Sequence, residues 1–93
     1  MAHLRVLVID DQALDRRILL QYLKEADIEV LEASNGPEGI GIAESAQPDV
    51  VLLDVMMEEM DGLGVCRSLK ANPQTADIPV IFITSIAPRR AKS

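Results

Sequence analysis

Three short runs of aliphatic, largely β-branched residues, each ending in side chains that carry oxygen, constrain this chain more than any other feature. Leu4-Arg5-Val6-Leu7-Val8-Ile9 stops at Asp10-Asp11, Val50-Val51-Leu52-Leu53 stops at Asp54, and Ile78-Pro79-Val80-Ile81-Phe82-Ile83 stops at Thr84-Ser85. A strand with one wet face alternates apolar and polar residues, whereas a run that is apolar throughout must be buried on both faces. That is the condition of parallel strands inside an α/β sheet. Pro79 is compatible with a strand because it stands at the start of its run.

The segments between these runs read as helices. From Gln12 to Asp27 the apolar residues Leu14, Ile18, Leu19, Tyr22, Leu23 and Ala26 form a helical stripe, and Arg16, Arg17, Lys24 and Glu25 are predicted to face away from it. Ile28-Glu29-Val30-Leu31-Glu32-Ala33 alternates in part, as a strand near a sheet edge does. Ser34-Asn35-Gly36-Pro37 is turn chemistry with Pro37 suited to the first helical position. The helix that follows, to Ala46, contains Gly39 and Gly41, each costing about 1 kcal/mol relative to Ala, and is predicted to be the softest. After a loop from Val55 to Asp61, Asp61 is placed to N-cap a helix anchored by Leu63, Cys66 and Leu69, which Asn72-Pro73 ends. The order β-α-β-α-β-α-β predicts right-handed crossovers, a mainly parallel sheet and helices on both faces.

A chain of 93 residues makes one domain. Its 48% apolar content includes one Phe, one Tyr and no Trp, so the core must be built from interdigitated aliphatic layers. The net charge of −6 argues against nucleic acid or anionic lipid as a direct partner, since phosphate backbones require clustered Lys and Arg. The basic cluster Arg89-Arg90-Lys92 reads as a solvated tail. No apolar run reaches the length of a membrane span, and Met1-Ala2-His3-Leu4-Arg5 lacks the layout of a signal peptide. The single cysteine, Cys66, excludes an internal disulfide, fits a cytoplasmic location and is read as a small core hydrophobe. His3 is read as having no catalytic or phosphodonor role.

In an open α/β sheet, ligands bind at the carboxyl ends of the strands where the strand order reverses. If the first and third strands are neighbours, Asp10, Asp11 and Asp54 converge there. Two like charges 4 Å apart cost about 4 kcal/mol at an effective dielectric of 20, so the cluster needs a proton or a cation. Ligands that are all oxygen favour Mg²⁺. Asp54 is then the candidate nucleophile, because a carboxylate can form an aspartyl-phosphate, and Thr84 can bond a phosphoryl oxygen. Taken singly, an Asp after a strand is commonly a turn former or helix cap, and a terminal Thr an ordinary strand-end hydroxyl. Placement at three strand ends together favours chemistry. There is no Gly-rich phosphate loop.

Val8-Ile9-Asp10-Asp11, Leu53-Asp54-Val55-Met56-Met57 with Met60-Asp61-Gly62, and Ile81-Phe82-Ile83-Thr84-Ser85 together resemble the three signature blocks of response-regulator receiver domains, over essentially the whole chain. The resemblance implies a flavodoxin-like, doubly wound parallel sheet of order 2-1-3-4. It implies that Asp54 accepts a phosphoryl group from a phosphohistidine on a sensor histidine kinase or phosphotransfer protein. Asp11 would ligate Mg²⁺ directly, Asp10 mostly through water, and Asp54 and the Met56 backbone carbonyl would be further ligands. Thr84 would swing inward onto the phosphoryl group. Such a module is a signalling switch rather than an enzyme. A Mg²⁺-dependent phosphohydrolase is disfavoured because the position two after Asp54, where an acid/base group would stand, is Met56.

The chain departs from the family pattern in two places. Glu58-Glu59 stands where Pro-Gly is usual, either as solvated loop charges or as residues that tune the pocket. The chain is also read as a receiver domain over residues 1–93 that stops after its fourth strand, short of a further helix, strand and helix of roughly 30 residues. The family's strand-five lysine, which pairs with the phosphoryl group, lies in that part. Without it, the alternative function is a phosphorylation-impaired, receiver-like interaction module. The fourth strand would be an apolar edge, expected to pair with a second copy as a homodimer or to be covered by the C-terminal tail. Met56, Met57 and Met60 either pack the loop or, for Met57 and Met60, contribute to a kinase-docking surface.

Overall fold

A computed structural model describes residues 4–55, 57 and 62–83. The elements run β1 (Arg5–Ile9), α1 (Ala13–Glu25), β2 (Glu29–Ala33), α2 (Gly36–Ala46), β3 (Val50–Asp54), α3 (Gly62–Ala71) and β4 (Val80–Ile83). The four strands form one parallel sheet of order β2-β1-β3-β4, so β1 and β3, separated in sequence by two helices, lie side by side. This is the doubly wound order, and it places the reversal of strand order between β1 and β3.

The burial of β1 explains its continuous apolar run. Leu7 and Ile9 join Ala33, Ala43, Val51, Leu53, Val65 and Leu69 in the core shared with α2 and α3. Val6 and Val8, one residue out of phase, point to the other side and are equally buried. Each fully buried aliphatic side chain contributes about 1.5–3 kcal/mol relative to exposure. β2 is exposed at Glu29 and Glu32, as its partial alternation predicts for an edge strand.

Local signals set the helix ends. Asn35 Oδ1 accepts from the Glu38 amide at 2.8 Å, and Glu38 Oε1 accepts from the Ser34 amide at 2.8 Å, so α2 opens on a reciprocal cap with a proline in its first turn. Gln47 closes α2 in the left-handed region, at φ 52°. α3 is closed by Thr75, buried, whose hydroxyl donates to the Leu69 carbonyl at 2.6 Å. The fourth apolar run is strand only from Val80; Ile78 precedes it as a buried loop residue.

Several expectations about helix faces are corrected. Leu14 and Tyr22 of α1 and Leu63 of α3 are exposed rather than anchoring. Helical periodicity identifies a stripe, but the sheet covers only the sector it reaches. Cys66 is half-buried and packs against the core from its margin. Gly39 has a packing role in α2. A Cβ there would stand 2.7 Å from Ile9 Cγ1, so the missing side chain lets the helix approach β1. Ile81 and Phe82 of β4 are exposed, so among the described residues β4 is the apolar edge foreseen from the sequence. The C-terminal tail, Arg89, Arg90 and Lys92 included, lies outside the described residues, as does His3.

Candidate phosphoacceptor and metal site

The pairing of β1 with β3 runs Val6 to Val50 through Ile9 to Leu53, so the residues that follow, Asp10 and Asp54, emerge together at the carboxyl edge. Both are buried, and Asp11 is half-buried beside them. One carboxylate oxygen from each of the three lies within 4.8 Å of the others. The convergence expected from the sequence is therefore present, and it follows from strand order alone.

Asp10 is held from three directions. Its amide donates to the Ala33 carbonyl at 3.1 Å, continuing the β1–β2 ladder one residue past the strand. Its Oδ1 accepts from the Gln12 amide at 2.9 Å, and its carbonyl oxygen accepts from Arg16 Nη1 at 2.7 Å. The carboxylate thus also forms the turn that leads into α1, so the modest role of turn former and the chemical role coincide in one residue. Gln12 is the N-cap residue of α1 and makes no side-chain cap bond.

Burial pushes the Asp10 carboxyl up from 3.8 to about 6. The Gln12 amide opposes that rise, while the charge of Asp54, a hydrogen bond with its side chain and the charge of Asp15 add to it. Asp15 is a further buried carboxylate, in the first turn of α1. The sequence reading missed both Asp15 and Arg16. Arg16 was expected to face away from the apolar stripe, yet its side chain is only 18% exposed and lies against the β1 end. Its i+4 relation to Gln12 fixes it near the loop, but nothing in one sequence tells which way a long basic side chain turns.

Asp54 is positioned from both sides. It pairs with Ile83 of β4, and the next amide, Val55, donates to the Ile83 carbonyl at 3.3 Å. The Gly62 amide donates back to the Val55 carbonyl at 3.3 Å, closing the loop that follows Asp54. Thr84 immediately follows Ile83 but, with Met56, Glu58, Glu59, Met60, Asp61 and Ser85, lies outside the described residues. Met57 is buried in the core, so it packs the loop rather than lining a docking surface.

The donor set fits a hard divalent cation: carboxylate oxygens only, clustered, and partly withdrawn from water. Burial raises the cost of their mutual repulsion, as the high Asp10 value reflects. A groove of about 530 Å³ between α1 and β2 is lined by Arg16, Arg17, Lys24 and Glu32 among others; Asp10, Asp11 and Asp54 do not line it.

Residues 6–92 match the response regulator receiver domain. The chain is 45% identical over 82 residues to the response regulator PleD of Caulobacter vibrioides, covering 88% of this chain and 18% of that protein. Its fold is similar to the N-terminal domain of a response regulator receiver protein from Methanoculleus marisnigri JR1, at 33% identity and a TM-score of 0.84. That likeness covers 94% of this chain and 70% of the other. The chemotaxis protein CheY4 of Vibrio cholerae is similar at 28% identity and a TM-score of 0.85, over 95% of this chain and 73% of its own. No helix among the described residues is long and apolar enough to cross a membrane.

Proposed function

The chain belongs to the response-regulator receiver-domain family, and from that premise we propose that Asp54 is its phosphoacceptor in two-component signal transduction. Receiver domains are signalling modules, and the reading concerns how this one is switched. The observation that carries it is the convergence of Asp10, Asp11 and Asp54 oxygens at the β1–β3 carboxyl edge, with Asp54 buried at the strand end.

A carboxylate oxygen of Asp54 attacks the phosphorus of a phosphohistidine on a sensor histidine kinase or phosphotransfer protein. The new O–P bond makes an acyl phosphate; the P–N bond breaks and its electron pair returns to the imidazole, which takes up a proton. Asp11, Asp10, Asp54 and the Met56 carbonyl would hold Mg²⁺, which when bound offsets the negative charge of the carboxylates and of the incoming phosphoryl oxygens. Thr84, next after the Ile83 that pairs with Asp54, would bond a phosphoryl oxygen. The product adds about 1.5–2 negative charges at the strand end, enough to bias a neighbouring loop between two arrangements.

The acidic net charge supports protein rather than nucleic acid as the direct partner, and the single cysteine supports a cytoplasmic setting. Exposed Ile81 and Phe82 on β4 support a homodimer through that edge. Sedimentation of the wild type as a monomer at all concentrations would rule the dimer out.

The test of the phosphoacceptor is intact-mass measurement after incubation with Mg²⁺ and a small phosphodonor. Wild type is expected to gain one phosphoryl group and Asp54→Asn none. An equal gain in Asp54→Asn, or no gain in a folded wild type, defeats the proposal.

A further inference from the structure

We infer that Arg16 is a positioning residue for the carboxylate loop, setting the orientation of Asp11 through the peptide that joins it to Asp10; the inference rests on the Mg²⁺-dependent reading above. Arg16 Nη1 donates to the Asp10 carbonyl oxygen at 2.7 Å, and Nε donates to Glu32 Oε1 at 3.1 Å. Its backbone amide is tied to the Gln12 carbonyl at 3.0 Å in the first turn of α1. One planar guanidinium therefore ties the end of β2 to the end of β1 from within α1.

The Asp10 carbonyl shares a rigid plane with the Asp11 amide. Fixing that oxygen fixes the plane from which Asp11 departs. The other end of Asp10 is already fixed, with its amide on Ala33 and its Oδ1 on the Gln12 amide. Arg16 adds a constraint on the loop at the Asp10 carbonyl, the atom nearest the turn to Asp11. Two donors in a fixed fork are needed, and lysine, a single ammonium on a flexible stem, cannot reach the carbonyl and Glu32 with the same geometry.

Magnesium titration of the full chain by calorimetry, with urea unfolding in EDTA alongside, tests this. Groups that orient metal ligands typically cost about tenfold or more in metal affinity when altered, so Arg16→Lys should raise the Mg²⁺ dissociation constant about tenfold. At saturating Mg²⁺ its phosphorylation rate should return to that of wild type. Glu32→Gln, which weakens the anchor of Nε, should give a smaller rise in the same direction. Arg17→Gln, which removes an exposed neighbouring charge, should leave Mg²⁺ binding unchanged.

Arg16→Lys and Glu32→Gln binding Mg²⁺ as wild type does overturns the inference, even if both are less stable in EDTA. Equal weakening in Arg17→Gln and Arg16→Lys also overturns it, because the loss would then not depend on the contacts that Arg16 makes with Asp10 and Glu32. If Arg16→Lys does not fold, Glu32→Gln decides. A wild type that binds no Mg²⁺ overturns the metal-dependent reading first, and this inference with it.

Discussion

Gly62 lies against the backbone of Asp54: a Cβ added to it would stand 2.7 Å from the Asp54 carbonyl oxygen and 2.7 Å from Val55 Cα. Both neighbours are main chain, and the Gly62 amide is bonded to the Val55 carbonyl, so neither side can move without shifting the residue that precedes the loop. Gly62→Ala gains helix propensity but must displace that backbone. We expect a net loss of about 1–3 kcal/mol, the usual range for overpacking. Asp54 phosphorylation should also slow, because the displaced atoms belong to the acceptor itself. Urea unfolding and the intact-mass assay check the two effects, and a variant as stable and as reactive as wild type would contradict the close approach.

Gly39 makes the corresponding approach to Ile9, but against a side chain. An added Cβ would overlap Ile9 Cδ1 and stand 2.7 Å from Cγ1. Gly39→Ala should therefore destabilise by about 1–3 kcal/mol despite its better helix propensity. Ile9→Val deletes Cδ1 and alone should cost about 0.5–1.5 kcal/mol. The double variant should be more stable than the sum of the single losses, since each change relieves the other. Strict additivity in the urea midpoints would refute the contact.

The strands and the carboxylate cluster were legible in the sequence because both follow from periodicity and order. Val6 to Ile9 are buried on both faces, Val51 and Leu53 are buried on one with Leu52 half-buried on the other, and a β1–β3 pairing brings Asp10 to Asp54 whatever the side chains between them do. What escaped the sequence depends on where one surface ends. Leu14, Tyr22 and Leu63 belong to helical stripes by spacing, yet the sheet does not reach that far round each helix. Arg16 looks like a solvent residue because it is charged; its inward turn follows from the carbonyl of Asp10 and the carboxylate of Glu32, which meet only in three dimensions. Gly39 reads as a helix defect until Ile9 is seen beneath it.

The Asp10 carboxyl, raised from 3.8 to about 6, makes stability depend on pH and on metal. Between those two values the folded chain holds more proton than the unfolded chain, so without metal its contribution is fully present below about pH 4 and is lost as pH rises through 6. At one unit per 1.36 kcal/mol the loss is about 3 kcal/mol. Glu38, whose carboxyl is lowered mainly by the Ser34 amide, works in the adjoining acid range with opposite sign, and its contribution fades as pH falls below 4.5. Urea unfolding in EDTA should therefore show lower stability at pH 7.5 than at pH 5. Excess Mg²⁺ should stabilise strongly at pH 7.5 and little at pH 4.5, where protons compete for the same oxygens. Equal Mg²⁺ effects at the two pH values would count against the site.

Replacing Asp54 by Asn separates the cost of the cluster from its use. Asp54 is fully buried, and its charge and its hydrogen bond both raise the Asp10 carboxyl. Asn keeps the shape and removes one of the like charges, so in EDTA at pH 7.5 the variant should be more stable than wild type by about 1–2 kcal/mol, part of the repulsion between close charges at an effective dielectric near 20. The Asp10 carboxyl should also titrate lower, which carbon-detected NMR of the side chain would show. The same substitution should weaken Mg²⁺ binding and abolish the phosphoryl adduct. A gain in metal-free stability together with a loss of function is the signature expected of a strained site, where the charges that destabilise the fold are the ones that hold the ion and attack phosphorus. A metal-free Asp54→Asn variant less stable than wild type would show instead that the Asp10–Asp54 hydrogen bond outweighs the repulsion between them.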